Sequence, residues 1–535
     1  MIRAPDRPDD AVPPSDAALL RLKSCLLIAL LGGVLAGCSR EADRSGVPAA
    51  DLAFSSCRLK GLEIALRCAT IEVAEDRDGD ANGRKIPIRF AVIPALARQP
   101  EPDAIFVFAG GPGQAATEAA GQIYPLFAKL NRERDIVLVD QRGTGASNRL
   151  SCAPETAAES ISDAFDAASS DRRIAACATR LGQRADLTRY ITSIAVQDID
   201  DVRGKLGYPR INLWGASYGT RAALEYLRQF PDRVRTMTLD GVAPASQKLP
   251  LSFGVDTHAA IVGLVADCAR ETACATRYPT LAADIDALFV KLDAGPVEVD
   301  VTHPVTGKKE HVKLTRMGLA SLLRTPLYIG LTASLLPAAI EHASRGDFST
   351  LAALGITVGS GLEDSIALGM HLSVLCSEDM LAITTEDLDA ARAEGVKSAI
   401  DGRPDPFALI YHEQYQRLCA RWPTRRPPAA YYASMAGQPG ADVPTLLLSG
   451  GIDPATPPAH ATTVAQSLGR ARHLIAPHVG HGVSLQGCAP DLIERFIKTA
   501  DAASLDAKCL ETIPRPLFFA PIVKARRDGD ATTVP

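Results

Sequence analysis

The residues best suited to chemistry lie in the pentapeptide Gly-Ala-Ser-Tyr-Gly at 215–219, which places Ser217 between two flanking glycines. The apolar run at 211–214 predicts a strand before this turn, and the spacing of apolar residues at 220–230 predicts an amphipathic helix after it. A strand, a tight Gly-x-Ser-x-Gly turn and a helix form a nucleophile elbow, which holds the serine at a strained backbone corner. The pentapeptide also occurs in ordinary glycine-rich turns, but its surroundings favour Ser217 as a nucleophile.

A serine hydroxyl needs a base that accepts its proton and an acid that orients this base. Asp453 follows the apolar run at 443–448, and His481 follows a second apolar run at 473–475. Both residues therefore stand in loops after predicted strands, in the order serine, acid, histidine that many nucleophile-elbow enzymes share. We predict that Ser217, Asp453 and His481 form a catalytic triad.

Other residues compete for two of these roles. Asp240 also ends a predicted strand, but the glycine after it favours a structural turn. His478 lies in the same loop as His481. We prefer His481 as the base, because a glycine on each side frees its backbone to enter the site. Asp453 has an alternative role as the cap of a following helix.

Backbone N–H groups are expected to bind the oxyanion of the reaction intermediate. One should come from Tyr218, next to the nucleophile, and the other from Gly111 in the glycine-rich loop after the apolar run at 104–108. Such a loop can also bind phosphate, but it carries neither Gly-x-Gly-x-x-Gly nor Gly-Lys-Ser/Thr.

Predicted strands alternate with helices through the first half of the chain, which indicates an α/β fold with a mostly parallel, doubly wound sheet. The strands are expected at 69–73, 86–93, 104–108, 136–139, 211–214, 234–239, 443–448 and 473–475. Between about 250 and 430 the pattern is mostly helical, with clear segments at 257–268, 281–292, 332–343 and 386–399. We interpret this stretch as a cap over the carboxyl ends of the strands, where ligands bind in such sheets.

The predicted organisation has five parts. They are a signal segment at 1–38, a core in two pieces at 46–248 and 431–510, a helical cap at 249–430 and a tail at 511–535.

The amino terminus predicts export. Arg21 and Lys23 precede an apolar run at 26–35 that is too short for an ordinary transmembrane helix. Leu-Ala-Gly-Cys at 35–38 resembles the bacterial lipobox, in which the cysteine, here Cys38, carries lipid and becomes the mature amino terminus. An ordinary cleaved signal peptide is the alternative, and either one predicts a protein of the cell envelope or a secreted one.

The cysteines agree with export. Apart from Cys25 and Cys38, ten remain, an even number that suits disulfides in an oxidising compartment. Pairing neighbours in sequence is the simplest prediction, and it gives Cys57–Cys68, Cys152–Cys177, Cys268–Cys274, Cys376–Cys419 and Cys488–Cys509. No Cys-x-x-Cys or histidine-rich cluster predicts a metal site, and a net charge of −5 offers no basic field for nucleic acid.

Four spaced motifs occur in order along the chain. They are Gly-Gly-Pro-Gly at 110–113, Asp-Gln-Arg-Gly-Thr-Gly-Ala-Ser at 140–147, the serine pentapeptide with its following threonine at 215–220, and Asp-Pro-Ala-Thr-Pro at 453–457 with Gly-His-Gly at 480–482. Together they resemble the prolyl iminopeptidase and tripeptidyl aminopeptidase branch of the α/β-hydrolases, particularly its exported bacterial proteases. Ala109 departs from the histidine that many prolyl iminopeptidases carry before Gly-Gly-Pro-Gly, which favours the tripeptidyl members.

The resemblance covers about residues 50–510 and implies an α/β-hydrolase fold with a helical cap. It also implies an exported serine exopeptidase that cleaves short peptides from free amino termini through an acyl-enzyme, without a cofactor. The expected partner is a peptide substrate, and membrane contact is expected only through the lipid at Cys38. Two other functions stay open: a carboxylic-ester hydrolase, and a lipid-anchored binding protein that has lost turnover.

An exopeptidase must also recognise the substrate's amino group, and an ammonium that leaves water needs a charged partner. The stretch Cys-Ser-Glu-Asp at 376–379 resembles the Cys-x-Glu-Asp segment of the tripeptidyl-like relatives. Glu378, together with Asp379, is therefore expected to bind the substrate amino terminus. The alternative is a solvated loop whose acids cap the next helix.

Overall fold

A nine-stranded sheet forms the centre of the computed structural model, which describes residues 52–79, 83–152, 167–303, 307–397 and 406–521. The strands are β1 (Ser55–Cys57), β2 (Leu66–Ala74), β3 (Lys85–Ile93), β4 (Ile105–Phe108), β5 (Ile136–Val139), β6 (Ile211–Ala216), β7 (Val234–Asp240), β10 (Thr445–Gly450) and β11 (Ala471–Ala476). Their order is β1-β2-β3-β5-β4-β6-β7-β10-β11. Every pairing from β5 through β11 is parallel, and the pairings among β1, β2, β3 and β5 are antiparallel. The α/β fold with a mostly parallel sheet is thus confirmed.

Strand β4 illustrates why the central strands are continuous apolar runs. Ile105 and Val107 join one buried cluster, whereas Phe106 and Phe108 join another. Successive side chains of a strand point to opposite faces, so a strand covered on both sides must be apolar at every position.

Helices cover both faces of the sheet. Those outside the long stretch between β7 and β10 are α1 (Ala120–Phe127), α2 (Ala167–Gly182), α3 (Thr192–Leu206), α4 (Tyr218–Gln229), α15 (Pro458–Gln466), α16 (Ala489–Thr499) and α17 (Lys508–Glu511). Buried residues of α3 and α4 share a cluster with Phe106, and buried residues of α1 and α16 share the other cluster with Ile105. This two-sided covering is the doubly wound arrangement that the alternating pattern predicts.

The chain between β7 and β10 is mostly helical. Its helices are α5 (Leu249–Arg270), α6 (Thr272–Arg277), α7 (Leu281–Asp293), α8 (Arg316–Arg324), α9 (Gly330–Ala333), α10 (Leu336–Ser344), α11 (Ser349–Ser365), α12 (Leu368–Val374), α13 (Thr385–Lys397) and α14 (Ile410–Cys419). Most of their buried apolar residues form a third cluster, separate from the two on the sheet. The boundaries of the predicted cap stay predictions.

Two features of the strand pattern differ from the sequence prediction. Strand β1 is a short, polar edge strand that pairs with β2, so no apolar alternation marks it. The antiparallel hairpin of β8 (Val297–Thr302) and β9 (Lys309–Leu314) lies within the mostly helical stretch. Val299 and Val301 are buried while their neighbours are exposed. The sequence of this segment therefore does alternate between apolar and polar residues, as a strand requires, and the prediction of a helical stretch does not include it.

Helix α5 is long and apolar enough to cross a membrane by length and composition alone, but 56% of its most apolar window is buried inside the protein. A core helix passes the same test. It also begins earlier than predicted, because Pro250 lies in its first turn, where the missing N–H costs nothing.

All five predicted disulfides are confirmed: Cys57–Cys68, Cys152–Cys177, Cys268–Cys274, Cys376–Cys419 and Cys488–Cys509. Five disulfides are typical of proteins that fold outside the reducing cytoplasm. The signal segment, Cys38 and most of the tail lie outside the described residues.

The disulfides should differ in their effect on stability. Removing Cys376–Cys419, whose cysteines are 43 residues apart, should lower the free energy of unfolding by about 4 kcal/mol. Removing Cys268–Cys274, 6 residues apart, should cost about 2 kcal/mol, because a shorter closed loop restrains the unfolded chain less. Denaturant unfolding of the two double-serine variants measures both values. Equal losses, or a larger loss for the short loop, would contradict this account.

Candidate active site

Ser217 occupies the turn between β6 and α4 in a strained backbone conformation, with φ 56° and ψ −127°. The glycines on both sides allow this turn to pack against its neighbours. A Cβ at Gly215 would lie 2.5 Å from the carbonyl oxygen of Gly219, and a Cβ at Gly219 would lie 2.0 Å from that of Phe108. Only glycine fits at these two positions, so the predicted elbow has a steric cause.

His481 and Asp453 meet at the carboxyl ends of neighbouring strands. The Nδ1 atom of His481 lies 2.9 and 3.0 Å from the two carboxylate oxygens of Asp453. The same carboxylate accepts hydrogen bonds from the backbone N–H groups of Ala455 (2.8 Å) and Thr456 (3.0 Å). This geometry directs the other ring nitrogen, Nε2, away from the acid, as a general base requires.

The charges of this pair stabilise each other. Burial disfavours the imidazolium, but the attraction of Asp453 outweighs burial and raises the pKa of His481 above its ordinary value. Burial likewise opposes ionisation of Asp453, yet the charge and hydrogen bonds of His481 and the backbone donors lower the pKa of its carboxyl to about 2. Asp453 is therefore ionised across the physiological range.

The end of β7 brings Ser217 and the ring of His481 to the same place. The N–H of Ser217 donates to the carbonyl oxygen of Asp240 at 2.8 Å. A Cβ on the next residue, Gly241, would lie 3.3 Å from Cε1 of His481. The candidate nucleophile and the candidate base thus flank one strand end.

The alternative residues have other surroundings. The carboxylate of Asp240 accepts the backbone N–H groups of Val483 (2.8 Å) and Ser484 (2.7 Å), so it anchors the loop that carries His481. His478 is exposed. The structure therefore pairs His481 with Asp453, and it gives Asp240 a supporting position.

The glycine-rich loop after β4 passes beside the nucleophile. A Cβ at Gly110 would lie 3.3 Å from Cβ of Ser217, and the next residue, Gly111, has a φ of 108° that favours glycine. Tyr218 is the first residue of α4, so its N–H has no acceptor within the helix. The assignment of Gly111 and Tyr218 to an oxyanion hole stays a prediction.

Glu378 lies in a π-helical turn, Leu375–Asp379, and its side chain is buried. Its carboxylate accepts the backbone N–H of Thr192 at 2.5 Å, the Thr192 hydroxyl at 3.0 Å and the Tyr431 hydroxyl. Burial raises the pKa of Glu378 to about 7, although Arg221 opposes this effect. The side chain is therefore not in a solvated loop, and its predicted role with the substrate amino group stays a prediction.

Asp379 is also buried and has a cationic partner. Its carboxylate lies 3.0 Å from Nη1 of Arg221, and it accepts the backbone N–H of Leu249 at 2.9 Å. Arg221 belongs to α4, the helix that begins after Ser217, so this ion pair joins the long helical stretch to the elbow helix.

A network that the sequence did not indicate connects Glu378 to Tyr218. The Tyr218 hydroxyl lies 2.6 Å from the hydroxyl of Thr192, which binds Glu378, and it accepts a hydrogen bond from Nε2 of Gln141 at 2.9 Å. Gln141 belongs to the motif at 140–147, but Thr192 carries no local signal because its partners are distant in sequence.

The loop of His481 also meets a residue that no motif marks. The N–H of His481 donates to the carbonyl oxygen of Tyr328 at 3.0 Å, and the two rings lie 5.0 Å apart in an edge-to-face contact. A second residue, His371, contacts the glycine-rich loop: its Nδ1 lies 3.2 Å from the carbonyl oxygen of Pro112. Both Tyr328 and His371 come from the chain between β7 and β10.

Comparisons with known proteins match both parts of the sheet. The family model described as alpha/beta hydrolase fold matches residues 103–283, and the model described as TAP-like protein matches residues 406–509. Among curated proteins, serine protease Hip1 of Mycobacterium tuberculosis is 30% identical over 183 residues, which cover 31% of this chain and 35% of that protein. The chain thus aligns with about a third of the length of that relative.

A longer match is the tripeptidyl aminopeptidase of Streptomyces coelicolor, which is 24% identical over 436 residues, or 76% of each chain. Among solved structures, the proline iminopeptidase of Mycobacterium smegmatis covers 82% of this chain and 100% of its own, with 12% identity and a TM-score of 0.35. The family models and curated relatives confirm the resemblance that the four motifs indicate.

The two candidate acids make a test of the triad. Asp453→Asn should lower kcat by about 10⁴-fold, because an amide cannot hold the imidazolium and favours the wrong ring tautomer. Ser217→Ala should lower kcat further, by about 10⁵–10⁶-fold. Asp240→Asn serves as the matched control and should reduce the thermal midpoint more than kcat, since its carboxylate accepts hydrogen bonds from the loop residues Val483 and Ser484 and not from His481. A crippled Asp240→Asn beside an active Asp453→Asn would reverse the assignment of the acid.

The pH profile should report the His481–Asp453 pair. A general base must be neutral, so kcat/KM should rise with pH through the pKa of His481, with a midpoint above the ordinary 6.5. In Asp453→Asn the midpoint should move to lower pH, because the attraction that raises the pKa of His481 is gone. The profile is measured with an amino-blocked ester whose own charge is constant. An unchanged midpoint in the variant would contradict the pairing.

Proposed function

We propose that this chain, which has an α/β-hydrolase fold and resembles the tripeptidyl aminopeptidase branch, is an exported serine peptidase that removes short pieces from free amino termini. The observation that carries the proposal is the hydrogen-bonded pair of half-buried His481 and buried Asp453 beside the strained elbow of Ser217. The similarity to a tripeptidyl aminopeptidase over 76% of both chains supports peptides as the substrate class.

The proposed reaction has two halves. His481 Nε2 accepts the proton of Ser217 while Oγ attacks the scissile carbonyl carbon, and the oxyanion is held by the N–H groups of Gly111 and Tyr218. The intermediate collapses as the C–N bond breaks, and His481 gives its proton to the leaving amine. Water, deprotonated by His481, then attacks the acyl-enzyme and releases the short peptide. Asp453 keeps the ring oriented and stabilises its charge throughout.

Export and anchoring are part of the proposal. The five disulfides support a compartment outside the cytoplasm. The Leu-Ala-Gly-Cys sequence at 35–38 supports a lipid at Cys38, which would hold the enzyme at a membrane surface of the cell envelope.

For the amino-terminal end of the substrate, we propose Glu378 as the acid that limits the enzyme to free amino termini. Its support is its carboxyl group, its position in the π-helical turn and its link through Thr192 to Tyr218. Because the carboxylate is already bound by Thr192 and Tyr431, the substrate ammonium would have to replace the hydroxyl of Tyr431.

Matched substrates test the function. Peptide amides with a free amino terminus should be cleaved with release of short pieces, and their amino-acetylated forms should be cleaved at least about 10-fold more slowly, because a charge-assisted bond is lost. Ser217→Ala is the control for contaminating peptidases. If only esters are hydrolysed, the enzyme is a carboxylic-ester hydrolase. If neither peptides nor esters are hydrolysed and wild type does not react with a fluorophosphonate, the chain is an inactive binding protein.

The same substrates test Glu378. Glu378→Gln should lower kcat/KM about 10–100-fold on free-amino peptides and leave amino-blocked esters little changed. Equal losses on both kinds of substrate would make Glu378 a structural residue of the buried cluster.

A further inference from the structure

Arg324, the last residue of α8, is a cation whose donors are incompletely used. Its Nε and Nη2 atoms are buried from solvent and make no hydrogen bond. Among the residues that the structure describes, no carboxylate forms an ion pair with it. A guanidinium is always charged, and burying its N–H groups without acceptors is unfavourable.

Aromatic rings surround the guanidinium. Its central carbon lies 4.6 Å from the ring centroid of Phe253, 4.9 Å from that of Tyr328 and 5.8 Å from that of Tyr411. Ring faces attract the positive charge. Ring faces do not accept in-plane N–H groups, so the rings hold the guanidinium in place. The guanidinium has a hydrogen bond with the side chain of Tyr328, but Nε and Nη2 have no acceptor.

Two sets of contacts connect Arg324 with the candidate catalytic centre. The first set runs through Tyr328, whose ring contacts His481 and whose carbonyl oxygen accepts the His481 N–H. The second set runs through Phe253, whose ring centroid lies 6.3 Å from that of Tyr415. The Tyr415 hydroxyl lies 2.7 Å from Nε2 of His371. His371 in turn contacts the glycine-rich loop beside Ser217.

The two acids whose charges act on the neighbouring Tyr328 are Asp453 and Asp256, and both already have partners. Asp453 binds His481 and two backbone N–H groups. Asp256 lies 3.0 Å from Nε2 of His460 and accepts Nε2 of Gln247 at 3.3 Å. Neither carboxylate is paired with Arg324, so its guanidinium has no anionic partner among the residues that the structure describes.

We propose that Arg324 binds a carboxylate of the substrate, which makes this enzyme selective for acidic peptides; the inference rests on the proposed peptidase function. The planar guanidinium offers paired N–H donors that match the two oxygens of a carboxylate. That carboxylate belongs either to an acidic side chain beside the scissile bond or to the carboxyl terminus of a short leaving peptide.

Two matched pairs of substrates separate these sources. The first pair carries Glu or Gln before the scissile bond, and the second has a leaving peptide that ends in a free carboxylate or in a carboxamide. Wild type should favour the charged member of one pair by about 10–100-fold in kcat/KM, as expected for a charge-assisted bond. Arg324→Gln should remove this preference.

Arg316→Gln is the matched control. Arg316 lies on the same helix and also contacts a ring, with its guanidinium carbon 5.5 Å from the centroid of Phe289, but it is paired with Asp293. This variant should keep the wild-type preference. No preference in wild type for either pair, or equal losses on all four peptides in Arg324→Gln, would overturn the proposal and leave Arg324 as a packing residue.

Esters distinguish failure of this inference from failure of the proposed function. The 4-nitrophenyl esters of glutaric acid and of its monoamide differ only in the carboxylate and require no peptidase activity. If no peptide is cleaved but wild type prefers the acid ester and Arg324→Gln does not, the carboxylate site stands and the peptidase function fails. If neither variant distinguishes the esters or the peptides, the carboxylate site is wrong.

Discussion

The contact between the elbow helix and strand β4 is the constraint on which the site depends. At Gly219 the backbone of α4 passes so close to the carbonyl oxygen of Phe108 that no side-chain carbon fits between them. This contact fixes the start of α4 against the end of β4, and the strained conformation of Ser217 follows from it. It also brings the glycine-rich loop, which begins where β4 ends, to the side of the nucleophile.

Strand β7 connects the position of Ser217 with that of His481. Asp240 uses its carbonyl oxygen to hold the N–H of Ser217 and its carboxylate to hold the loop after His481. One residue therefore supports two parts of the candidate site. Asp453, the candidate orienting acid, follows the next strand in the sheet, β10. The parallel order of the sheet is thus what brings residues more than 200 positions apart into one site.

The sequence alone predicts the features whose signal lies in a short stretch of residues or in the order of motifs along the chain. The central strands are buried on both sides and read as apolar runs. Ser217 and Asp453 follow two of them, whereas His481 follows the partly exposed edge strand β11. The hairpin of β8 and β9 was missed because short alternating segments stood among helical ones. The burial of Glu378 and the contacts of Tyr328 and Arg324 could not be predicted. They arise from packing between segments that are far apart in the chain. The residues next to Glu378, Tyr328 and Arg324 in sequence do not indicate which distant segment each side chain contacts.

The disulfide between Cys376 and Cys419 joins two of the segments that surround the candidate centre. Cys376 lies in the turn that carries Glu378, and Cys419 ends the helix that carries Tyr415, the partner of His371. In a reducing compartment the same chain would hold these segments together by packing alone. The covalent link therefore ties the shape of the site to the redox state of its surroundings, so that full rigidity requires an oxidising compartment.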